Sequence, residues 1–223
     1  MLARFPSFVL PLVAGGLLTG CFSDIETVFP AGVEPLVPPP GLDEAVRFPE
    51  GTGGAFPEAV VVETIDGEAA FGLARGYVLA PMRDVMAALT EPEVATDRCA
   101  YSSFATRFDT EPDYDISFAV DAVVRDLITI EYTVSYRVAV ARGSMSSPEV
   151  VALRWQKTSG SSAISELDGS ILAEEIAPGV TRIELQQRVD AFQNRPENTA
   201  RYLRRLHRDI VAHTDGAALG ECD

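Results

Sequence analysis

From Asp115 to Arg142, apolar and polar side chains alternate along two long runs. In the first, Ile116, Phe118, Val120, Ala122 and Val124 share one parity. In the second, Ile128, Ile130, Tyr132, Val134, Tyr136, Val138 and Val140 do so, opposite Thr129, Glu131, Thr133, Ser135 and Arg137. Alternation with period two predicts strands with one face on a core. A two-residue turn at Arg125-Asp126 would set Val120 against Glu131 and put the faces in conflict. A three-residue loop, Arg125 to Leu127, pairs Val124 with Ile128 and Val120 with Tyr132, so the apolar faces agree. The pattern therefore predicts a long antiparallel hairpin.

Other segments read in the same way. Val60 to Val62 open one strand, and Gly72 to Leu79 form another, with Leu73, Tyr77 and Leu79 on one parity. Ala80-Pro81 then starts a helix: Met82, Val85, Met86 and Leu89 recur at helical spacing, and Pro92 stops it. Val151, Leu153 and Trp155 mark a further strand, and Ile164 to Ile176 the next, with a bend or bulge expected near Gly169. Pro178-Gly179 turns the chain into a strand whose Ile183, Leu185, Val189 and Ala191 face one way. A long helix closes the order, from about Arg195 to His213, with Leu203, Leu206, Ile210 and Val211 as its buried stripe. Asn194 and Glu197 resemble a capping box ahead of it, and Gly216 is its stop signal. Arg195, Arg201, Arg204, Arg205 and Arg208 read as a solvated face paired with Glu197, Asp209 and nearby acids; the alternative is a surface for lipid phosphates or an acidic partner.

The first residues follow another rule. Arg4 precedes the apolar run Phe8 to Leu18, which Pro11 interrupts and which ends in Leu18-Thr19-Gly20-Cys21. The run is shorter than the about 20 residues a bilayer span needs, and its layout is that of a secretory signal. The tetrad resembles the lipobox of bacterial lipoproteins. That resemblance implies removal of residues 1–20, a diacylglyceryl thioether on Cys21 and acylation of the new amine. Together these chains would anchor the protein to a membrane. Phe22, rather than Asp, after the cysteine favours the periplasmic side of the outer membrane over the inner membrane, by resemblance to enterobacterial sorting. Phe22 to Phe56, rich in proline and glycine, reads as a tether that holds a domain off the membrane. The expected organisation is a signal peptide (1–20), lipidated cysteine and tether (21–57), a folded domain (58–216) and a tail (217–223).

Charge narrows the partners. The chain carries 33 acidic and 18 basic residues, a formal charge of −15, and losing Arg4 with the signal would make it −16. Such a balance excludes nucleic acid as a partner, and no basic tract offsets it. Besides Cys21 there are Cys99 and Cys222. In an oxidising compartment they can form a bridge that pins a Gly/Ala-rich tail; two free thiols or an intermolecular bond are the alternatives. Two distant cysteines without matching histidines make no zinc site.

Strand, helix, several antiparallel strands, long final helix: in this order the chain resembles the START-related helix-grip superfamily, also called SRPBCC. The residues that carry the resemblance are Ala80-Pro81 through Val85, Leu89 and Pro92-Glu93 in the first half. In the second they are Asp168-Gly169-Ser170, Thr181 to Ala191, and Pro196 through Leu206. Met86 departs from the family, where many members carry an aromatic residue. The resemblance implies an α+β fold, a curved antiparallel sheet wrapped around the last helix, often with an apolar cavity between them. Members bind lipids, sterols or polyketides, and some are cyclases. Phe118, Tyr132, Tyr136, Trp155 and Gln187 are then candidate ligand-binding residues, or else core filling with Gln187 bonded to backbone or water.

Signs of catalysis are missing from the sequence. His207 and His213 point to different helix faces, and His207, among arginines, is expected at the surface. No G-x-S-x-G elbow occurs. No catalytic residue, metal ligand or cofactor is assigned. The expectation is a lipid-anchored envelope protein whose domain binds a hydrophobic small molecule or lipid. The alternatives are a structural or interaction lipoprotein with a filled core, and a cyclase-like enzyme.

Overall fold

The alternating runs form strands in the computed structural model, which describes residues 22–126, 128–192 and 195–222. Cys21 with its lipobox, and Asn194 of the expected capping box, lie outside the described residues. In chain order the elements are β1 (Asp24–Glu26), α1 (Leu42–Ala45), β2 (Val60–Ile65), β3 (Ala70–Val78), α2 (Met82–Thr90) and α3 (Pro92–Ala95). There follow β4 (Ser103–Phe108), β5 (Ile116–Arg125), β6 (Thr129–Ser144), β7 (Ser147–Ser161), β8 (Ile164–Ala177), β9 (Val180–Ala191) and α4 (Pro196–Thr214). The strands form one antiparallel sheet in the order β2-β3-β9-β8-β7-β6-β5-β4, with β1 paired to the end of β7. Helices α2, α3 and α4 cover its inner face, which gives an α+β helix-grip fold. Val85, Leu89, Leu203, Leu206 and Ile210 meet Val134, Leu153, Ile171 and Leu185 in one core. Each such aliphatic side chain contributes about 1.5–3 kcal/mol on full burial.

The hairpin of β5 and β6 keeps its faces but shifts its register. Its three-residue loop is 126–128, one residue later than expected, so Val124 pairs with Ile130 and Val120 with Val134. Parity alone cannot separate these registers, because a slip of two residues returns every side chain to the same face. Gly169 is no bulge: it is paired with Trp155 on one side and Gln187 on the other, and the irregularities of β8 lie near its ends. A Cβ there would collide with the Trp155 indole, so the glycine makes room for the largest side chain of the sheet. Gly72 does the same for α4, whose Leu203 Cδ1 would stand 2.8 Å from an added Cβ.

Both faces of the sheet are covered. On β3, Ala74 and Val78 face the core, while Leu73 and Phe71 belong to a second cluster with Leu42 and Val46. The parity of Leu73, Tyr77 and Leu79 is thus the outer one. Over it lies the stretch expected as a tether. Its prolines have no N–H, so its carbonyls need donors from elsewhere. Arg137 donates to the carbonyls of Pro30 and Phe29, Gln156 to Val28 (3.0 Å), Arg154 to Glu34 (3.2 Å) and Arg75 to Val46 (2.7 Å). The Leu36 N–H donates to Ser170 Oγ at 3.0 Å. Arg137 also stacks on Phe29, 3.7 Å from the ring centre, and pairs with Glu111. Residues 28–46 are therefore a strap on the outer face.

The last helix carries one reversal. His207 is buried, 5 % exposed, with Nε2 2.9 Å from the Tyr77 carbonyl oxygen, not at the surface. It lies on the same stripe as Leu203 and Leu206, and the adjacent arginines point away from it.

Candidate functional site

One row of paired residues crosses the inner face of the sheet. Phe118 faces Tyr136, Tyr136 faces Trp155, Trp155 faces Gly169, Gly169 faces Gln187, and Gln187 faces Gly72. Aromatic side chains fill the β5–β7 half of this row: Phe118 and Tyr136 stack at 4.5 Å and 7°, and Tyr136 and Trp155 at 6.3 Å and 20°. Glycines occupy the other half. Trp155 covers Gly169, and a cavity of about 300 Å³ opens beside the indole and over Gln187, between the sheet, the loop after α3 and the first half of α4.

Tyr136, Trp155 and Gln187 are buried in its floor, with Thr199 and Tyr202 from α4. Tyr132 and Tyr101 close one side, Ile164, Leu167 and Val189 another. At the rim stand Asp97 and Ala100 of the loop, and Asn198 and Arg201 of the helix, where exposure rises. Of the five residues expected to face a ligand, Tyr132, Tyr136, Trp155 and Gln187 line the cavity. Phe118 does not; it lies behind Tyr136 as core. Thr199 and Tyr202 share the helical spacing of Leu203 and Leu206, so the stripe extended by one turn points to them. Asp97 and Tyr101 sit in a loop and leave no periodic signal.

The polar groups divide into satisfied and unsatisfied. Tyr202 Oη donates to the Ala95 carbonyl at 3.2 Å. Asp97 pairs with Arg205 across the rim. Burial raises the Asp97 carboxyl above the usual carboxylate range, and Arg205 pulls it the other way. Burial also pushes the phenols of Tyr101, Tyr132, Tyr136 and Tyr202 up, so they stay protonated at neutral pH. In contrast, Thr199 Oγ1 is buried with no hydrogen-bond partner among the described residues. The Gln187 side chain is 5 % exposed and lines the cavity. A buried amide or hydroxyl left unpaired costs about 1–3 kcal/mol. Gln187 lies in the cavity floor, where a polar group of a guest would meet its amide.

Cys99 and Cys222 are joined by a disulfide, Cα to Cα 5.3 Å, which ties the cavity loop to the C-terminal tail. Among the described residues no three His, Cys, Asp or Glu side chains gather as a metal ion would require, and no helix is long and apolar enough to cross a membrane.

No family model matches the chain, and no curated protein does. Solved structures do resemble it. The human StarD13 (DLC2) lipid transfer and protein localization domain aligns at TM-score 0.46 and 14 % identity, over 70 % of this chain and 83 % of that one. A protein from Arthrobacter aurescens aligns at 0.44 and 11 %, over 70 % and 92 %. The Zhui aromatase/cyclase of a Streptomyces species aligns at 0.40 and 14 %, over 71 % and 92 %.

Proposed function

We propose that this chain is a lipid-anchored protein of the bacterial envelope, most simply on the periplasmic side of the outer membrane, whose cavity binds a small hydrophobic molecule with a polar end. The anchor rests on the sequence from Arg4 to Cys21, and the address on Phe22 after it. The binding reading is carried by one observation: an aromatic-walled cavity with a buried polar side chain, Gln187, in its floor. Apolar walls with a few placed polar groups are the usual make-up of a small-molecule site. A volume of about 300 Å³ lies at the lower end of the about 300–1,000 Å³ of small-molecule sites. That suits a ring system or a short chain. A cyclase-like activity would need a free acid or base inside. Asp97, the one carboxylate among the described lining residues, is held by Arg205.

Trp155 is the only tryptophan and lies in the cavity floor, so its emission is a built-in reporter. Titrating the purified protein with envelope lipid extracts and small aromatic compounds should shift that emission saturably, and native mass spectrometry should show one bound molecule. Gln187→Leu should weaken binding roughly ten-fold, the loss expected for one buried hydrogen bond of about 1–1.5 kcal/mol. No shift and no bound mass across the panel would favour the structural lipoprotein with an unused gap.

A further inference from the structure

The strap changes where the cavity stands relative to the anchor. A tether running free from Cys21 to Phe56 would let the domain tumble away from a membrane. Instead, the chain is held from its first described residues. The Phe22 ring lies 6.0 Å from that of Phe192, centre to centre. The Ser162 N–H donates to the Ser23 carbonyl at 2.8 Å, and Asp24–Glu26 pairs with Ser161, Gly160 and Ser159 of β7. Adjacent Cα atoms are about 3.8 Å apart. Acyl chains on Cys21 would therefore hold this end of the sheet against the bilayer, with no slack to turn it.

The same end carries the cavity's opening. Phe192 donates its N–H to the Ala163 carbonyl at 2.7 Å, and Ile164, which pairs with Ala191, lines the cavity with Leu167 and Val189. Asn198 and Arg201 at the rim stand on the first turns of α4, which follows directly. Two large apolar side chains are exposed here, Phe22 at 42 % and Phe192 at 61 %. Ile128, 37 % exposed, lies in the β5–β6 loop at this end. Phenylalanine, like other large apolar side chains, buries at the boundary between head groups and acyl chains. We infer that the Phe22–Phe192 end docks on the bilayer that holds the lipid anchor, and that the cavity's guest enters from that bilayer, not from the surrounding water. This rests on the proposed lipoprotein reading and extends it. Electrostatics does not supply the contact, because the chain is acidic; the anchor and the apolar side chains do.

The test uses the intact protein, purified from a bacterial membrane and reconstituted in phosphatidylethanolamine vesicles with brominated lipid as quencher. Two variants each add one tryptophan to the native Trp155: Phe192→Trp at the docking end, and Met145→Trp in the β6–β7 turn at the opposite end of the sheet. Intact mass is recorded first. With Cys21 acylated, emission added at 192 should be quenched several-fold more than that added at 145. A third variant inserts about twelve Gly/Ser residues between Cys21 and Phe22, a reach of about 20 Å. It should lose much of that contrast. It should also slow the uptake of a cavity guest from vesicles, with uptake from solution unchanged. Equal quenching at both sites on acylated protein overturns the orientation and leaves the lipoprotein reading intact. A mass without acyl chains at Cys21 overturns both.

Discussion

Gly169 and His207 show how single residues set the site and the helix behind it. Gly169 exists because the Trp155 indole lies across it. Gly169→Ala must displace the ring or the strand, and overpacking of this kind costs about 1–3 kcal/mol. Urea unfolding should show that loss, and Trp155 emission should shift with it. A neutral substitution with unchanged emission would refute the packing. His207 predicts a pH dependence. Burial lowers its pKa below the ordinary 6.5, against the raising effect of the Tyr77 carbonyl. The unfolded chain takes up this proton first as pH falls, so the unfolded state gains protons on the folded one. The contribution of His207 is present above about pH 6.5. It is lost progressively as pH drops toward the lower folded value. His207→Gln should flatten the melting temperature in that window relative to the parent, and an unchanged profile would refute the assignment. The sequence alone misplaced this histidine because neighbouring arginines suggested water, although its spacing from Leu203 placed it on the buried stripe. It found four of the cavity residues because they alternate along strands. Asp97 and Tyr101 had no such pattern to reveal them.

Elements were legible wherever a period was long enough to count. β5, β6, β7, β9 and α4 all announce themselves by alternation or helical spacing. β4 did not, because Ser103, Ala105 and Arg107 alternate with only partly covered neighbours at the sheet edge. The strap was hidden for a different reason. Proline and glycine mark a segment without ladder bonds, and that is equally true of a free linker and of one whose carbonyls are caught by side chains. The missing signal lay on the other partner: arginines at 75, 137 and 154 on strand faces that open water would not require. Arg137 is the test. It is buried, paired with Glu111, and bonded to two strap carbonyls. Arg137→Leu should cost about 2–3 kcal/mol, less than the 3–5 of a fully buried pair, because Glu111 is 24 % exposed. The strap should also loosen, so limited trypsin digestion should cut sooner after the exposed Arg47. Loss of stability without faster cleavage there would mean that Arg137 supports the sheet alone.

At the scale of the whole molecule, the cavity depends on a link between distant parts of the chain. Cys99 stands in the cavity wall beside Ala100 and Tyr101, and its disulfide partner Cys222 lies 123 residues away. Arg98 completes the clasp. It donates to the Gly220 carbonyl and pairs with Asp209 of α4 at 3.2 Å. Loop and tail are thus fastened to the same helix that lines the cavity. In the chain-entropy account a loop of this length is worth about 4–5 kcal/mol, a large share of the 5–15 kcal/mol that holds a typical domain folded. The native contacts of Arg98 do not restrain the unfolded chain, so they leave most of this loss in place. Cys222→Ser, or reductant on the parent protein, should therefore lower the urea midpoint strongly. It should weaken guest binding read by Trp155 as well, because the loop that carries Asp97 and Tyr101 would then be held by the ion pairs Asp97–Arg205 and Arg98–Asp209 without the covalent link. The two readouts separate the roles. A lower midpoint with unchanged affinity would make the bridge a restraint on the unfolded chain only. A loss of both would make it part of the wall.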